Sequence, residues 1–398
     1  MPATIPAMVN PRLLVWAREE AGFNREEAAQ RAKRPVAVLR AWEEGETQPT
    51  LRQAEALAKL YDFSFSIFSL PAPPQLPPLA AEYRRLPGIR AGTESPELRA
   101  AIRRLVQRRR IALHLYAELG DEPIDFPLRA HLREDPQDVG EAMRAALGVP
   151  VSAQLDWVSE FVAYRAWREA VERLAVLVCQ FPGKGLGEVR GTSILRFPVP
   201  VIGISSKELP LSKPFTLLHE LVHVALAASR EESPALTQVG PETHWLEIER
   251  FCETVAGAVL MPRNDFARDS DVLQQTRTGN WRVEAIRRTA RRFRVTPTAA
   301  ATRALILGLM SPRMYNTWKG AWEAHHAAHP DRSGFGIATP AEKAVGRNGP
   351  LLTSLVLSAL SNEQISSTDA ANFLDVGYGH VETLRKGWME RPTAFVGE

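Results

Sequence analysis

The chain has 398 residues, which is too long for one small core and suits two to four domains. Apolar residues make up 45% and charged residues 24% of it, as in ordinary globular proteins, and the net charge of +3 does not by itself indicate nucleic-acid binding. Two cysteines exclude a disulfide framework, and an apolar run such as residues 304–310 is too short to cross a bilayer. The first residues lack a secretory signal pattern, so we expect a cytoplasmic protein without membrane contact.

Residues 11–61 are predicted to form four short helices with tight connections. Apolar side chains recur at helical spacing in the first helix, which Gly22 ends. Asn24 is a suitable N-cap for the second helix, and Pro35 suits the first turn of the third. Four helices of this length are typical of a helix-turn-helix domain, which we assign to residues 1–70.

The second helix of such a motif lies in the major groove of DNA with its N-terminal residues on the base edges. In this chain that helix covers approximately residues 35–44, and double-stranded DNA is the expected partner. Pairing with another helix-turn-helix protein is the alternative use of the domain. Four basic residues are candidates for contact with phosphates or bases: Arg25, Lys33, Arg34 and Arg40.

A proline-rich linker follows the first domain. Five prolines lie within residues 71–78, a composition that favours an extended chain, and we place the linker at residues 71–82. Residues 83–150 are predicted to be a helical connecting region. Within its basic helix, residues 96–119, the arginine-rich stretch 99–110 is interpreted as a solvated helix face, and a phosphate-binding face is the alternative.

Residues 151–270 are predicted to contain a small β-sheet followed by an apolar helix. A helix that includes Trp157 and Trp167 precedes three strand candidates at residues 174–179, 192–197 and 199–205. The remaining chain, residues 271–398, is predicted to be a helical region, with helical spacing at residues 283–293, 298–310, 351–359 and 368–374. The predicted fold class is therefore α+β and mostly helical.

The most informative segment is residues 215–223 (FTLLHELVH). His219 and His223 are four residues apart, so on a helix both imidazoles lie on one face and can bind one metal ion. Glu220 follows the first histidine and would act as the general base on a water molecule. This H-E-x-x-H pattern is typical of zinc peptidases, although two histidines and a carboxylate would also accept Mn²⁺.

A catalytic zinc site needs a third protein ligand and keeps one position open. The predicted helix at residues 248–262 carries Glu249 and Glu253 four residues apart. We choose Glu249 as the ligand and keep Glu253 as the alternative. Cys252 lies between them and is interpreted as a small core residue.

These motifs resemble the ImmA/IrrE family of metallopeptidases, in the form that carries an N-terminal XRE-type helix-turn-helix. Residues 200–205 (PVIGIS), 215–223 and 249–262 (ERFCETVAGAVLMP) are similar to its peptidase core. Residues 83–87 (YRRLP) resemble the join between the two modules. Many family members have asparagine where this chain has Glu253, and Lys213-Pro214 replaces an arginine that often precedes the metal helix.

The resemblance implies a gluzincin-like site with His219, His223 and a helix-borne glutamate as the ligands. It also implies that the substrate is a repressor-type protein, usually of the XRE class, whose cleavage switches on stress, prophage or mobile-element genes. A transcriptional regulator whose peptidase fold senses a signal without proteolysis is the alternative, as is an antitoxin of a mobile element. A homodimer is one option for the oligomeric state, which the sequence leaves open.

Overall fold

The computed structural model describes residues 6–84, 86, 88–183, 189–235, 237, 242–328 and 339–389. It is mostly helical with one small sheet, which confirms the predicted fold class. Among the helices of these residues, none has the length and apolar character that crossing a membrane requires.

The N-terminal domain consists of four helices and a short 3-10 turn. The helices are α1 (Pro11–Glu20), α2 (Arg25–Arg31), α3 (Val36–Glu43) and α4 (Leu51–Tyr61), and the turn is Phe65–Ser69. Asn24 caps α2 and Thr50 caps α4, each within a capping box that satisfies free backbone N–H groups. Trp42 is buried in the core of this domain, so α3 presents other side chains to the solvent.

The long helix α5 (Pro96–Leu119) connects the N-terminal domain to the rest of the chain. Arg103 donates to the carbonyl oxygens of Glu20 and Tyr61, the last residues of α1 and α4. Arg99 donates to the same Glu20 carbonyl. Because the carbonyls at a helix C-terminus have no partner within the helix, these arginines join the two parts of the chain firmly.

The arginines of the following turn of α5 contact the other side of the molecule. Arg108 is buried and donates to the side chain of Asn348 at 2.9 Å, and Arg109 donates to the carbonyl of Val199 at 3.0 Å. The interpretation of the arginine-rich stretch of α5 as a solvated face is therefore wrong for four of its arginines, which form contacts within the protein: Arg99, Arg103, Arg108 and Arg109.

The sheet has three strands in the order β1-β3-β2. The strands are β1 (Leu177–Phe181), β2 (Gly191–Ile194) and β3 (Val201–Ser205). β1 is parallel to β3, and β2 is antiparallel to β3 and lies at the edge of the sheet. Three helices lie between α5 and the sheet: α6 (Pro136–Leu147), α7 (Val151–Asp156) and α8 (Glu160–Glu172).

The predicted strands were displaced or too long, for a local reason. Ala175 and Val199 have φ of 56° and 61°, in the left-handed region that a strand does not use. The turn at Ala175 delays β1 to Leu177, and Val199 with Pro200 delays β3 to Val201. Trp157 likewise lies between α7 and α8 rather than within a helix.

Two long helices carry the motif residues, and the first of them packs on the sheet. They are α9 (Lys213–Ala228) and α10 (Glu242–Leu260). α9 packs against β2 and β3 and against α10, which in turn packs against α6. At the α6–α10 contact a Cβ on Gly140 would lie 2.5 Å from that of Ala258, so glycine permits the close approach of these helices.

The helices after α10 belong to two different cores. The core around α9 and α10 includes residues of α11 (Arg263–Ala267), α12 (Ser270–Thr278), α13 (Val283–Phe293), α14 (Pro297–Ile306) and α15 (Pro312–Ala328). The core around α5 includes residues of α16 (Pro340–Asn348), α17 (Pro350–Ser361), α18 (Ser367–Leu374) and α19 (Val381–Met389).

Candidate active site

The site is built on α9, which runs through the interior of the protein. Pro214 lies in its first turn, where the missing N–H of proline removes no helical hydrogen bond. Most of the following side chains are apolar and buried, because the helix packs against the sheet on one side and against α10 on another. This burial fixes the polar residues His219, Glu220 and His223 in position.

His219, His223 and Glu249 offer three ligand atoms that lie within 4.8 Å of one another. The two Nε2 atoms are 3.1 Å apart. Oε2 of Glu249 lies 3.4 Å from Nε2 of His219, and Oε1 of Glu249 lies 3.5 Å from Nε2 of His223. In a tetrahedral zinc site with bonds of about 2.0–2.1 Å, neighbouring ligand atoms are about 3.3–3.4 Å apart. Two imidazoles and one carboxylate in this arrangement fit a zinc ion.

The second carboxylate on α10 lies outside the cluster. Glu253 is exposed, whereas Glu249 is part of the cluster. Burial raises the pKa of Glu249, but its hydrogen bond to His219 and the charge of Arg84 lower the pKa to about 2. Glu249 is thus ionised at neutral pH, the form that binds metal. Cys252 is fully buried in the apolar core, in accordance with its interpretation as a core residue.

A buried glutamate orients the second histidine. Nδ1 of His223 lies 2.7 Å from Oε2 of Glu232, and both side chains are at most 1% exposed. When Nδ1 carries the proton, the lone pair of Nε2 faces His219 and Glu249. Burial, together with the charge of Arg84, holds the pKa of His223 well below its usual value. The ring therefore stays neutral, which its predicted role as metal ligand requires.

Glu220 lies against the edge strand β2. Ser193 donates its hydroxyl to Oε2 of Glu220 at 2.7 Å. A Cβ on Gly191 would lie 2.9 Å from Oε1 of Glu220 and 2.7 Å from Cγ2 of Thr216. The absence of a side chain at Gly191 thus leaves the space that the Glu220 carboxylate needs.

Arg84 enters the site from the segment before α5. Its guanidinium donates to both oxygens of Glu220, at 2.8 and 2.7 Å, and to Oε1 of Glu249 at 2.9 Å. The side chain is 3% exposed, so these are buried ion pairs. Burial raises the pKa of Glu220, but the charge and hydrogen bonds of Arg84, together with the two histidines, lower the pKa below its usual value. Glu220 is therefore ionised, which its predicted role as general base requires.

Comparison with known proteins identifies two regions of the chain. Residues 171–305 match the family model of the IrrE N-terminal-like domain, a peptidase family, and residues 14–68 match the helix-turn-helix model. The chain joins an IrrE-like peptidase domain to a helix-turn-helix domain. The resemblance inferred from the sequence is confirmed by these two matches. A search of curated proteins found no match.

Three residues around Glu220 and His223 carried no signal in the sequence. Arg84 was part of the join between the two modules and had no predicted role. Glu232 lies in the loop after α9, and Ser193 lies within a predicted strand.

In the helix-turn-helix domain, the four predicted DNA contacts lie in different surroundings. Lys33, Arg34 and Arg40 are exposed at the start and along the outer face of α3. Arg25 instead donates to Glu43 at 2.8 Å, and Glu43 also accepts from Arg18 at 2.7 Å. Since the Glu43 side chain is 1% exposed, Arg25 contributes to the internal structure of the domain.

Proposed function

We propose that this chain is a zinc-dependent endopeptidase that cleaves a repressor-type regulatory protein and so switches on stress, prophage or mobile-element genes. The observation that carries the proposal is the close group of the buried His223 and the partly buried His219 and Glu249, with Glu220 beside the two histidines on α9. The match to a peptidase family and the helix-turn-helix domain support it. We propose that the protein acts in the cytoplasm. A homodimer is compatible with the proposed function.

The chemistry follows from the roles of these residues. His219, His223 and Glu249 would hold the ion, and bound zinc lowers the pKa of water and stabilises negative charge on a peptide carbonyl oxygen. Glu220 accepts the proton of the attacking water and then delivers it to the leaving amine. Glu232 keeps the His223 ring in place, and Ser193 fixes one oxygen of Glu220.

The helix-turn-helix domain supports binding to double-stranded DNA. Lys33, Arg34 and Arg40 would neutralise phosphates or reach base edges, because their side chains are exposed on or next to α3. We propose that DNA binding brings the peptidase close to a regulator on the same DNA. Selection of the substrate by its position on the DNA, rather than by a deep binding pocket, suits an enzyme with one regulatory target.

One observation favours a second candidate function. Arg84 forms ion pairs with both Glu220 and Glu249, so the base and a ligand are engaged within the protein itself. A regulator that uses the peptidase fold to sense a signal, without proteolysis, would keep these contacts. An antitoxin-like protein belongs to the same class.

A survey of protein N-termini in host cells tests the proposal. Cells would express the wild type, Glu220→Gln or the exposed control Glu253→Gln, with and without DNA damage. We expect a new N-terminus within one regulator in the wild type and in Glu253→Gln, and none in Glu220→Gln.

The zinc content of each purified variant is measured in parallel, because Glu220 is not a ligand and Glu220→Gln should retain zinc. Identical N-termini in all strains, with zinc bound, would favour the non-proteolytic regulator.

A further inference from the structure

The edge of β2 beside Glu220 is covered by a short extended segment of the same chain. Tyr83 is paired with Ile194, and Arg84 is paired with Pro234 on the opposite side of the segment. The N–H of Arg84 donates to the carbonyl of Ser193 at 3.1 Å. The N–H of Ala235 donates to the carbonyl of Tyr83 at 2.8 Å. Residues 83–84 therefore lie as an added strand between β2 and residues 234–235.

The contacts continue along the chain in both directions. Arg196 donates to the carbonyl of Ala81 at 3.1 Å and lies 3.5 Å from the carboxylate of Glu82. The hydroxyl of Tyr83 donates to Glu94 at 2.5 Å, in the loop before α5. The segment is thus held at its backbone, at both ends and through the side chain of Arg84.

An unpaired strand edge is the surface on which proteins bind extended peptides, because its free N–H and C=O groups can form a new antiparallel pair. β2 has β3 on one side, so its other side is the edge that faces residues 83–84. Ser193 lies on this edge and also contacts Glu220. A peptide paired with β2 would therefore run directly past the catalytic carboxylate.

We propose that the outer edge of β2 is the binding surface for an extended peptide substrate, and that residues 81–84 of the chain occupy it as an internal competitor. This inference rests on the proposed function, since it names where its substrate binds. Arg84 serves as the anchor of the competitor because its guanidinium reaches Glu220 and Glu249 together. A peptide in solution binds only after the segment leaves.

The consequence for affinity is quantitative. A segment tethered to its own site has an effective concentration on the order of millimolar, and the apparent dissociation constant of a competing peptide rises as the open fraction falls. Weakening the anchor should lower that constant by at least about tenfold, which corresponds to about 1.4 kcal/mol.

The probe is a fluorescent peptide with the sequence of residues 80–88, added to full-length, zinc-equilibrated protein. Fluorescence anisotropy gives its dissociation constant for the wild type, Arg84→Ala and the exposed control Arg90→Ala. We expect at least tenfold tighter binding to Arg84→Ala than to the other two. The same peptide with alanine in place of its first arginine should bind weakly to all three.

Hydrogen exchange provides the second measurement and identifies the surface. In Arg84→Ala, amides of residues 81–84 and Ala235 should exchange faster than in the wild type, and the added peptide should slow exchange at Ala235 again. Tyr83→Phe removes only the bond to Glu94 and should give a smaller change in the same direction, which covers the case in which Arg84→Ala does not fold.

Equal peptide affinity and equal exchange in the wild type and in folded Arg84→Ala or Tyr83→Phe would show that residues 83–84 are a permanent strand and would overturn the inference. The outcome is separate from that of the proposed function. Tighter peptide binding without any cleavage in cells would retain the surface and remove the peptidase activity. Cleavage in cells without a change in peptide binding would retain the peptidase activity and remove the proposed binding surface.

Discussion

Glu232 provides the sharpest test of the metal site, because it touches no proposed substrate and no other ligand. Its Oε2 lies 2.7 Å from Nδ1 of His223, and the His223 side chain is fully buried. In Glu232→Ala the Nδ1 atom of His223 loses this partner, although the His223 side chain remains buried from solvent. The imidazole is then free to turn or to move its proton to Nε2, and either change removes the lone pair that a metal ion needs.

The expected effect is a weaker affinity for zinc. A buried polar group left without its partner costs about 1–3 kcal/mol, and loss of a carboxylate behind a ligating histidine typically lowers metal affinity about 10–100-fold. A 10–100-fold loss equals about 1.4–2.7 kcal/mol, so the two figures agree. Glu232→Gln keeps an acceptor oxygen for Nδ1 and should lose less, about tenfold at most.

The assay is a zinc titration in competition with a chelating dye, with protein folding checked by circular dichroism. Glu231→Ala is the matched control, because Glu231 is the neighbouring residue and contacts the exposed side chain of His131 at 3.0 Å. Its zinc affinity should equal that of the wild type. A Glu232→Ala affinity within threefold of the wild type, or an equal loss in Glu231→Ala, would refute the role of Glu232.

Three further predictions follow from the site and its surroundings. Glu249→Gln should reduce the zinc content of the purified protein strongly, whereas Glu253→Gln should retain it; the reverse result would make Glu253 the ligand. Gly191→Ala should lower stability by about 1–3 kcal/mol in thermal unfolding, because its Cβ would lie 2.7 Å from Thr216 and 2.9 Å from Glu220; an unchanged melting temperature would contradict this. Burial raises the pKa of Glu172 from 4.5 to about 7, so the stability that this carboxyl contributes is present below pH 4.5 and is lost as the pH rises through about 7. In urea unfolding, the wild type should lose about 2–3 kcal/mol more than Glu172→Gln between pH 5 and pH 8, and equal losses would show that the carboxyl does not titrate there.

The sequence could predict the part of the site that lies on one helix. The positions of His219, Glu220 and His223 follow from helix geometry, which is local. Identifying Glu249 as the third residue of the cluster required the packing of α10 on α9, which is tertiary structure. Periodicity alone left Glu253 as an alternative, because the two residues occupy similar positions on their helix. The exposure of Glu253 in the structure separates the two.

The remaining contacts depend on the tertiary structure and have no periodic pattern. Arg84 is 136 residues from Glu220 in the chain, and Glu232 lies in a loop. The arginines of α5 were interpreted as solvated because the sequence does not show their acceptors. Arg103 binds the backbone carbonyls of Glu20 and Tyr61, and a backbone acceptor is present at every residue.

The arginine at the start of α5 links the helix-turn-helix domain to the segment that covers β2. Arg99 contacts the carbonyl of Glu20 in the helix-turn-helix domain and also lies 3.1 Å from Glu94, the carboxylate that holds Tyr83. If operator DNA draws α1 away from Arg99, it also loosens the segment that ends at Arg84. Thermodynamic linkage then requires reciprocity. Whatever factor DNA adds to the affinity for peptide, the peptide must add to the affinity for DNA, so the substrate itself would set how long the enzyme stays on its operator.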